Sequence, residues 1–402
     1  MGLIVQKFGG SSVADAEKIF NVAGRVTDAY NAGNQVVVVV SAQGDTTDDL
    51  IEKANEINPN HSKREMDVLL SVGEQITISL LAMALEKLGY PVISLTGWQV
   101  AMHTDRNNMN ARIKHIDTQR LQSELDQKKI VIVAGFQGIN RYNDITTLGR
   151  GGSDTTAVAL AAALNADLCE IYTDVDGVYT TDPRIVKNAK KLKDISYDEM
   201  LELASLGANV LHNRSVELAK KYNVALEVKS SFEKIEGTKV REVGNVEKML
   251  VRGVTRDNNV ARISVVGIND TPGKAYMLFN LMAKHNINVD VILQSIGREG
   301  TKDISFTVPR DHVEEALQIL NEQIENLEAK EIKHADNVSK VSIVGAGMAS
   351  NPGVAAKMFE ALYEAQINIH MIATSEIKVS VLIDEKNAEK AVAAIHDKFF
   401  NN

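Results

Sequence analysis

Arg262-Ile263-Ser264-Val265-Val266-Gly267, then Pro272-Gly273, then a helical run ending in Ile287-Asn288-Val289-Asp290-Val291-Ile292, returns as Lys340-Val341-Ser342-Ile343-Val344-Gly345, Pro352-Gly353, and Ile367-Asn368-Ile369-His370-Met371-Ile372. A self-similar stretch at a period of about 80 residues marks two copies of one folded unit. Each copy then offers another strand and a second helix, which gives the order βαββα. The first copy finishes with a strand-like run from Ala329 to Lys333, whereas the second reaches the end of the sequence after its helix. Met249 to Thr255, an alternating apolar run before the first copy, has no partner of its own. It is expected to complete the second copy's sheet, so the first copy (262–335) is inserted within the second (249–261 plus 336–402).

Upstream, residues 1–235 alternate short apolar runs with longer amphipathic ones, the βα rhythm of a mostly parallel sheet between helices. Strands are expected at Gly2 to Gln6, Val36 to Ser41, Pro91 to Leu95, Ile130 to Ala134, Leu168 to Thr173 and Val224 to Lys229. Helices are expected at Ala14 to Ala32, Arg64 to Leu88, Ser153 to Asn165 and Ala208 to Tyr222. Apolar residues thin out after Ser231, and Gly237-Thr238 breaks the pattern, so residues 236–248 read as a linker. The fold class is therefore α/β, followed by two α+β modules.

A chain of 402 residues needs more than one core, and 44% hydrophobic with 24% charged residues describes a globular protein. The net charge of −9, with basic residues scattered, gives no electrostatic footprint for nucleic acid. Cys169 is the one cysteine, so no internal disulfide forms, and its apolar flanks predict an inert thiol in a reducing cytoplasm. The N-terminal residues lack a charged leader, Gln6 stands where myristoylation needs Ser or Thr, and no stretch approaches the roughly 20 apolar residues of a membrane span.

Three segments carry chemistry. Lys7-Phe8-Gly9-Gly10-Ser11-Ser12 lies between a strand and a helix, where small residues let backbone N–H groups approach a phosphate and Lys7 adds positive charge. A tight structural turn reads equally well, and Walker A spacing is absent. Thr147 to Thr156 gathers Gly149, Arg150, Gly151, Gly152, Ser153 and Asp154 at a helix start, a set suited to anion, metal and hydroxyl binding, with Arg150 able to grip a carboxylate in two places. Tyr172 to Arg184 sets carboxylates, hydroxyls and an aromatic at a strand's C-terminal end, where open α/β sheets bind ligands, although Asp176-Gly177 by itself reads as a simple turn. Ser41 to Thr47 either caps a helix or binds ligand, and Glu74 is either a solvated carboxylate or the partner of a substrate ammonium. Gly345-Ala346-Gly347 lacks the third glycine of a dinucleotide fingerprint, and the nine histidines show no metal-binding spacing.

Lys7 to Ser12, Gly149 to Asp154, Thr173 to Arg184 and the Pro-Gly repeat together resemble the aspartokinases of the amino-acid kinase family, over essentially the whole chain. The paired repeats, with Thr374-Ser375-Glu376-Ile377-Lys378 in the second, resemble that family's ferredoxin-like ACT domains. The resemblance implies ATP and Mg2+ as cofactors, L-aspartate as substrate, and a monofunctional enzyme without an appended homoserine dehydrogenase. It implies that Lys7 neutralises the phosphoryl oxygens and that Asp154 organises Lys7 and Mg2+, with no separate metal site assigned. Gly9, Gly10 and Ser41 would hold phosphates, and Thr173, Asp174, Tyr179, Asp182 and Arg184 match the nucleotide segment. Arg150 and Ser153, with Gly151 and Gly152, would hold the substrate carboxylate, and Glu74 and Thr47 complete that pocket.

Effector candidates by the same matching are Asp270, Gly273, Ala275 and Gln294 in the first copy, facing Val354, Ala355, Asn368, Ile369, Ser375 and Glu376 in the second. Lysine, threonine or both would bind there, across a homodimer interface, and a short regulatory subunit could start at Met249. Departures from the family pattern are Ser11 for Thr, a conservative change, and Asn213 for Pro in Leu211-His212-Asn213-Arg214, a departure expected to alter a loop and touch no assigned role. The alternatives are a kinase for another acidic amino acid and an inert amino-acid sensor.

Overall fold

The computed structural model describes residues 2–208, 210–242, 250–295 and 300–401. It forms two compact units. The first comprises Met1–Val178, Lys191–Ala204 and Asn209–Val246; the second comprises Tyr179–Lys190, Ser205–Ala208 and Glu247–Asn402. Two stretches inside residues 1–235, Tyr179–Lys190 and Ser205–Ala208, thus pack with the C-terminal unit.

The first unit is built on an eight-stranded sheet in the order Asp194–Ile195, Thr238–Val240, Leu226–Ser230, Leu168–Thr173, Leu3–Phe8, Gln35–Val40, Ile130–Ala134, Val92–Leu95. Every neighbouring pair is parallel except Leu226–Ser230 with Thr238–Val240. Val36 to Val40 and Ile130 to Ala134 are 0% exposed, which is why five-residue runs of β-branched and apolar side chains form here: helices cover both faces. The first strand is central, with the next strands of the chain on one side and Leu168–Thr173 on the other. Such a reversal opens a crevice at the strands' C-terminal ends.

The expected strands are present with ends shifted by a residue or two, and a second sheet, Ile113–Ile116, Met102–Thr104, Gln137–Ile139 and Ile145–Thr147, was not anticipated. The helix expected from Ala208 begins only at Asn213. Gly207 has φ +102, and a Cβ there would lie 2.2 Å from the Arg256 carbonyl oxygen, so the chain turns at that point instead of continuing a helix. An unanticipated helix, Tyr197–Ser205, precedes the turn.

The expectation that no stretch approaches a membrane span needs correction. Among the described residues, Lys63–Lys87 is long and apolar enough to cross one. It is instead a core helix, started by Ser62 accepting the Glu65 N–H and burying Met66, Leu70, Ile78, Leu81 and Leu85. Half of its most apolar stretch is buried in this way, while Val72, Ile76, Leu80 and Met83 are exposed.

In the second unit, the two copies form two four-stranded antiparallel sheets. The first orders Ile292–Gln294, Thr301–Val308, Ala261–Asn269 and Glu331–Ala335. The second orders Gly253–Asp257, Val338–Val344, Lys378–Asp384 and Met371–Thr374. Gly253–Asp257 pairs antiparallel with Val338–Val344, taking the place that Glu331–Ala335 holds beside Ala261–Asn269 in the first sheet. The expected run began at Met249, which lies outside the described residues; its strand begins at Gly253. The copies also repeat their bends: Gly273 (φ +97) and Gly353 (φ +93) start the first helices, and Asn286 (φ 57) and Gln366 (φ 56) follow them.

Candidate active site

Lys7 sits near the C-terminal end of the central strand, and its Nζ lies 2.6 Å from Asp154 Oδ1, with side chains only 12% and 13% exposed. Asp154 is in the first turn of the helix Gly152–Leu164, where a carboxylate is favoured by the helix dipole. Asp154 Oδ1 makes no aligned hydrogen bond among the described residues, so the contact is an ion pair with acceptor capacity left over. Beside it the chain makes a 3-10 turn at Gly10–Ser12, and a Cβ at Gly10 would lie 2.7 Å from the Ala42 carbonyl oxygen. At Gly9 a Cβ would meet only Lys7 Nζ, at 3.5 Å, which leaves backbone open to a ligand beside the cation.

The next strand delivers Ser41, whose N–H donates to the Phe8 carbonyl at 3.1 Å. Ala42 N–H donates to Glu74 Oε1 at 3.1 Å. Glu74 is 3% exposed, its Oε2 has no partner among the described residues, and burial pushes its carboxyl up to about 8. A buried carboxylate with one oxygen unpaired suits a cationic ligand group. The solvated-carboxylate alternative for Glu74 is therefore excluded. Ser153 is buried under Gly135, where a Cβ would lie 2.7 Å from Ser153 Oγ.

Lys7, Gly10, Ser41 and Glu74 are thus linked through neighbouring strand ends, and Ser153 and Asp154 share one helix start. Thr173 ends the strand on the other side; its carbonyl accepts Ser231 N–H and Oγ–H, and Ser231 Oγ shares a 2.5 Å hydrogen bond with Ser12 Oγ. Asp174 accepts from Thr173 Oγ1 at 2.9 Å and is exposed. Arg150 is exposed and Thr47 half-buried, in the first turn of Thr46–Ile57. Tyr179, Asp182 and Arg184 fall in the second unit, with Asp182 held below the usual carboxylate range by the Arg184 guanidinium.

Sequence reading missed the supports of this site. Asp67 is 0% exposed and accepts Asn108 Nδ2–H at 2.6 Å, Met109 N–H at 3.0 Å and Thr147 Oγ1–H at 2.5 Å, stitching the 105–111 loop to the Ile145–Thr147 strand. Burial raises its carboxyl, against the pull of those donors. It lies seven residues before Glu74, on the same face two turns back, and that spacing was the available signal. The neighbours of Asn213, His212 and Arg214, lie against the glycine loop. Arg214 donates to the Leu148 carbonyl at 2.8 Å and the Ala111 carbonyl at 2.6 Å. A Cβ at Gly151 (φ +66) would lie 2.2 Å from His212 Cγ. Five fixed guanidinium donors explain why one side chain spans both carbonyls behind the glycine loop.

In the second unit, an open depression is lined by Asn351, Val354, Ala355, Thr374, Ser375 and Glu376, joining four of the second copy's effector candidates. Asn368 and Ile369 precede Met371–Thr374 and do not line it. Asp270 pairs with Lys302 at 2.7 Å, Gly273 caps the helix containing Ala275, and Gln294 ends an exposed edge strand. Cys169 is fully buried and its thiol is raised by that burial, as an inert core residue should be. No group of three or more His, Cys, Asp or Glu among the described residues could cage a metal ion. A single carboxylate, Asp154, beside a phosphate-sized turn fits a cation that arrives on the nucleotide.

Comparison with known proteins accords with this geometry. Residues 2–230 match the amino acid kinase family, and residues 263–324 and 341–399 match the ACT domain. The chain is 54% identical to the aspartokinase of Bacillus sp. (strain MGA3) over 400 residues, covering 99% of this chain and 97% of that one. It overlays the crystal structure of E. coli aspartokinase III in complex with aspartate and ADP (R-state) with a TM-score of 0.83 at 27% identity, covering 99% and 100% of the two chains. The same E. coli protein with lysine and aspartate (T-state) gives 0.77 at 26% identity, covering 99% of each chain. With its kinase sheet and paired ACT repeats, the chain belongs to the aspartokinases, phosphotransferases of the amino acid kinase family.

Proposed function

We propose that the chain transfers the γ-phosphoryl group of Mg-ATP to the side-chain carboxylate of L-aspartate, giving 4-phospho-L-aspartate and ADP, as the cytoplasmic first step of lysine, threonine and methionine biosynthesis. The observation that carries this reading is the Lys7–Asp154 pair at the central strand end, flanked by the Gly9-Gly10 turn and the buried carboxylate of Glu74. Aspartate's carboxylate is ionised near neutral pH, so it attacks phosphorus without a general base. Its oxygen bonds to the γ-phosphorus, the bond to the β–γ bridging oxygen breaks, and the electron pair leaves on ADP. Positioning and charge neutralisation then supply the catalysis.

Lys7 stabilises the phosphoryl oxygens, and Asp154 keeps its ammonium aimed. Gly9, Gly10 and Ser41 offer backbone and hydroxyl donors to phosphates, and Thr173, Asp174, Tyr179, Asp182 and Arg184 hold the nucleotide. Mg2+ would be carried on the phosphates near Asp154 and would supply further charge neutralisation. Arg150, on the loop of Gly151, Gly152 and Ser153, grips the substrate's carboxylate, while Glu74 and Thr47 receive its ammonium end.

Lysine, threonine or both bind the repeats at Asp270, Gly273, Ala275 and Gln294 and at Val354, Ala355, Asn368, Ile369, Ser375 and Glu376, in a homodimer formed through them. Lysine in the T-state E. coli enzyme supports this reading. An effector inhibits by binding the less active state more tightly. A fragment starting at Met249 would supply both repeats as a regulatory subunit, to be sought as a second, smaller product in cells carrying the intact gene.

The test is ADP release with Mg-ATP and aspartate, glutamate or acetylglutamate, each with and without lysine and threonine. Aspartate-specific turnover suppressed by an effector is expected. Turnover insensitive to both removes the effector assignment, and none with any acid favours the sensor.

A further inference from the structure

The segment Tyr179–Lys190, which holds three of the nucleotide candidates, is part of the same compact unit as the second repeat. Ile185 and Val186 pack in that repeat's core with Val254, Ala391, Val392 and Ile395. Thr180 is 1% exposed and is held from three directions. Its carbonyl accepts Val254 N–H at 2.8 Å from the second repeat's edge strand. Thr180 also exchanges two backbone-derived bonds with Lys190: its N–H donates to the Lys190 carbonyl at 2.9 Å, and its Oγ1 accepts Lys190 N–H at 3.0 Å. The third contact is a 2.9 Å hydrogen bond between Thr180 Oγ1 and Nε2 of His396, which is 0% exposed on the last helix.

His396 has little else to do as a polar group. Its Nδ1 has no partner among the described residues, and its ring stacks on Phe400 with centroids 4.6 Å apart. An imidazole buried in an apolar core costs stability that a phenylalanine would not, so its presence calls for a role beyond packing. Two residues past Thr180, Asp182 accepts Arg184 N–H at 2.9 Å, so the Thr180 anchor fixes the start of the turn that presents Asp182 and Arg184.

We propose that His396 is a positioning residue for ATP binding: its bond to Thr180 holds the Tyr179–Arg184 turn in the shape that grips the nucleotide. This rests on the reading of Tyr179, Asp182 and Arg184 as nucleotide-binding.

The test uses the full-length protein. His396→Phe keeps the stack on Phe400 and removes the hydrogen bond; it should raise KM for ATP about five- to tenfold, with kcat and KM for aspartate within about twofold. His396→Gln, whose amide reaches the Nε2 position, should restore most of it. Thr180→Val removes the same bond from its other end, together with the acceptor of Lys190 N–H, and should raise KM for ATP at least as much while leaving the last helix unaltered. Arg184→Ala distinguishes the two readings. If Arg184→Ala raises KM for ATP and neither His396→Phe nor Thr180→Val does, the coupling is wrong and the nucleotide assignment stands. If Arg184→Ala leaves KM for ATP unchanged, the nucleotide assignment fails and takes this proposal with it.

Discussion

Glu74 shows how one buried carboxylate trades stability for binding. Burial holds its carboxyl at about 8, against an ordinary 4.5. Between those values the folded chain keeps a proton that the unfolded chain has released, so stability falls as pH climbs through the window. Glu74→Gln should remove that penalty, raising Tm by ~3 °C at pH 8.5 and leaving it unchanged at pH 5, by calorimetry. The same substitution should raise KM for aspartate at least about tenfold. In the unmodified enzyme kcat/KM for aspartate should climb toward pH 8, because a substrate ammonium selects the ionised form.

Lys7→Ala should abolish ADP release while effector binding, measured by calorimetry, persists. Arg214→Ala leaves the Leu148 and Ala111 carbonyls without their donor, at ~2 kcal/mol, and loosens the loop behind Arg150. The expected outcome is a ten- to hundredfold lower kcat/KM for aspartate with KM for ATP little changed. Arg214→Lys can satisfy only one of the two carbonyls well and should recover part of it.

Elements with strong local signals were legible in the chain. The Gln35–Val40 and Ile130–Ala134 strands announce themselves because a run of valines and isoleucines buried on both faces has no other comfortable conformation. Leu168–Thr173 was predicted with the ends observed. The small sheet at Met102–Thr104 and its neighbours gave no such signal. Its strands are three or four residues long, too short for a period to show, and are held by non-local contacts such as Thr104 Oγ1 with Thr146 Oγ1 at 2.6 Å. The site followed the same division. Lys7, Glu74 and Asp154 stand in recognisable segments, whereas Asp67 and Arg214 act on loops 42 and 66 residues away in sequence, which no window can see. Asp67→Ala should therefore leave the helix Lys63–Lys87 intact and make the 105–111 loop the first point of cleavage in limited proteolysis, with mass spectrometry locating the cut.

At the scale of the whole chain, the order of strands matters as much as their number. The second repeat's sheet takes its first strand from before the first repeat and its remaining three from after it. A chain truncated after Ala335 keeps the first repeat's strands but strands Gly253–Asp257 without a partner. That product should fold its first repeat and yet aggregate, through an exposed edge and through apolar residues such as Val254 that lose their core. The fraction recovered in the supernatant after lysis, compared with the full chain, measures this.

The same arrangement imposes a timetable on synthesis. From Gly253 to Val338 is 338 − 253 = 85 residues, and a ribosome adding roughly 5–20 residues per second needs about 4–17 s to make them. In that interval the first repeat, whose strands all lie between, can close completely while Gly253–Asp257 waits. The last of the sheet's strands in sequence, Lys378–Asp384, pairs with Val338–Val344, so the regulatory half is assembled from the inside outward and its sheet is sealed only once Asp384 has been made.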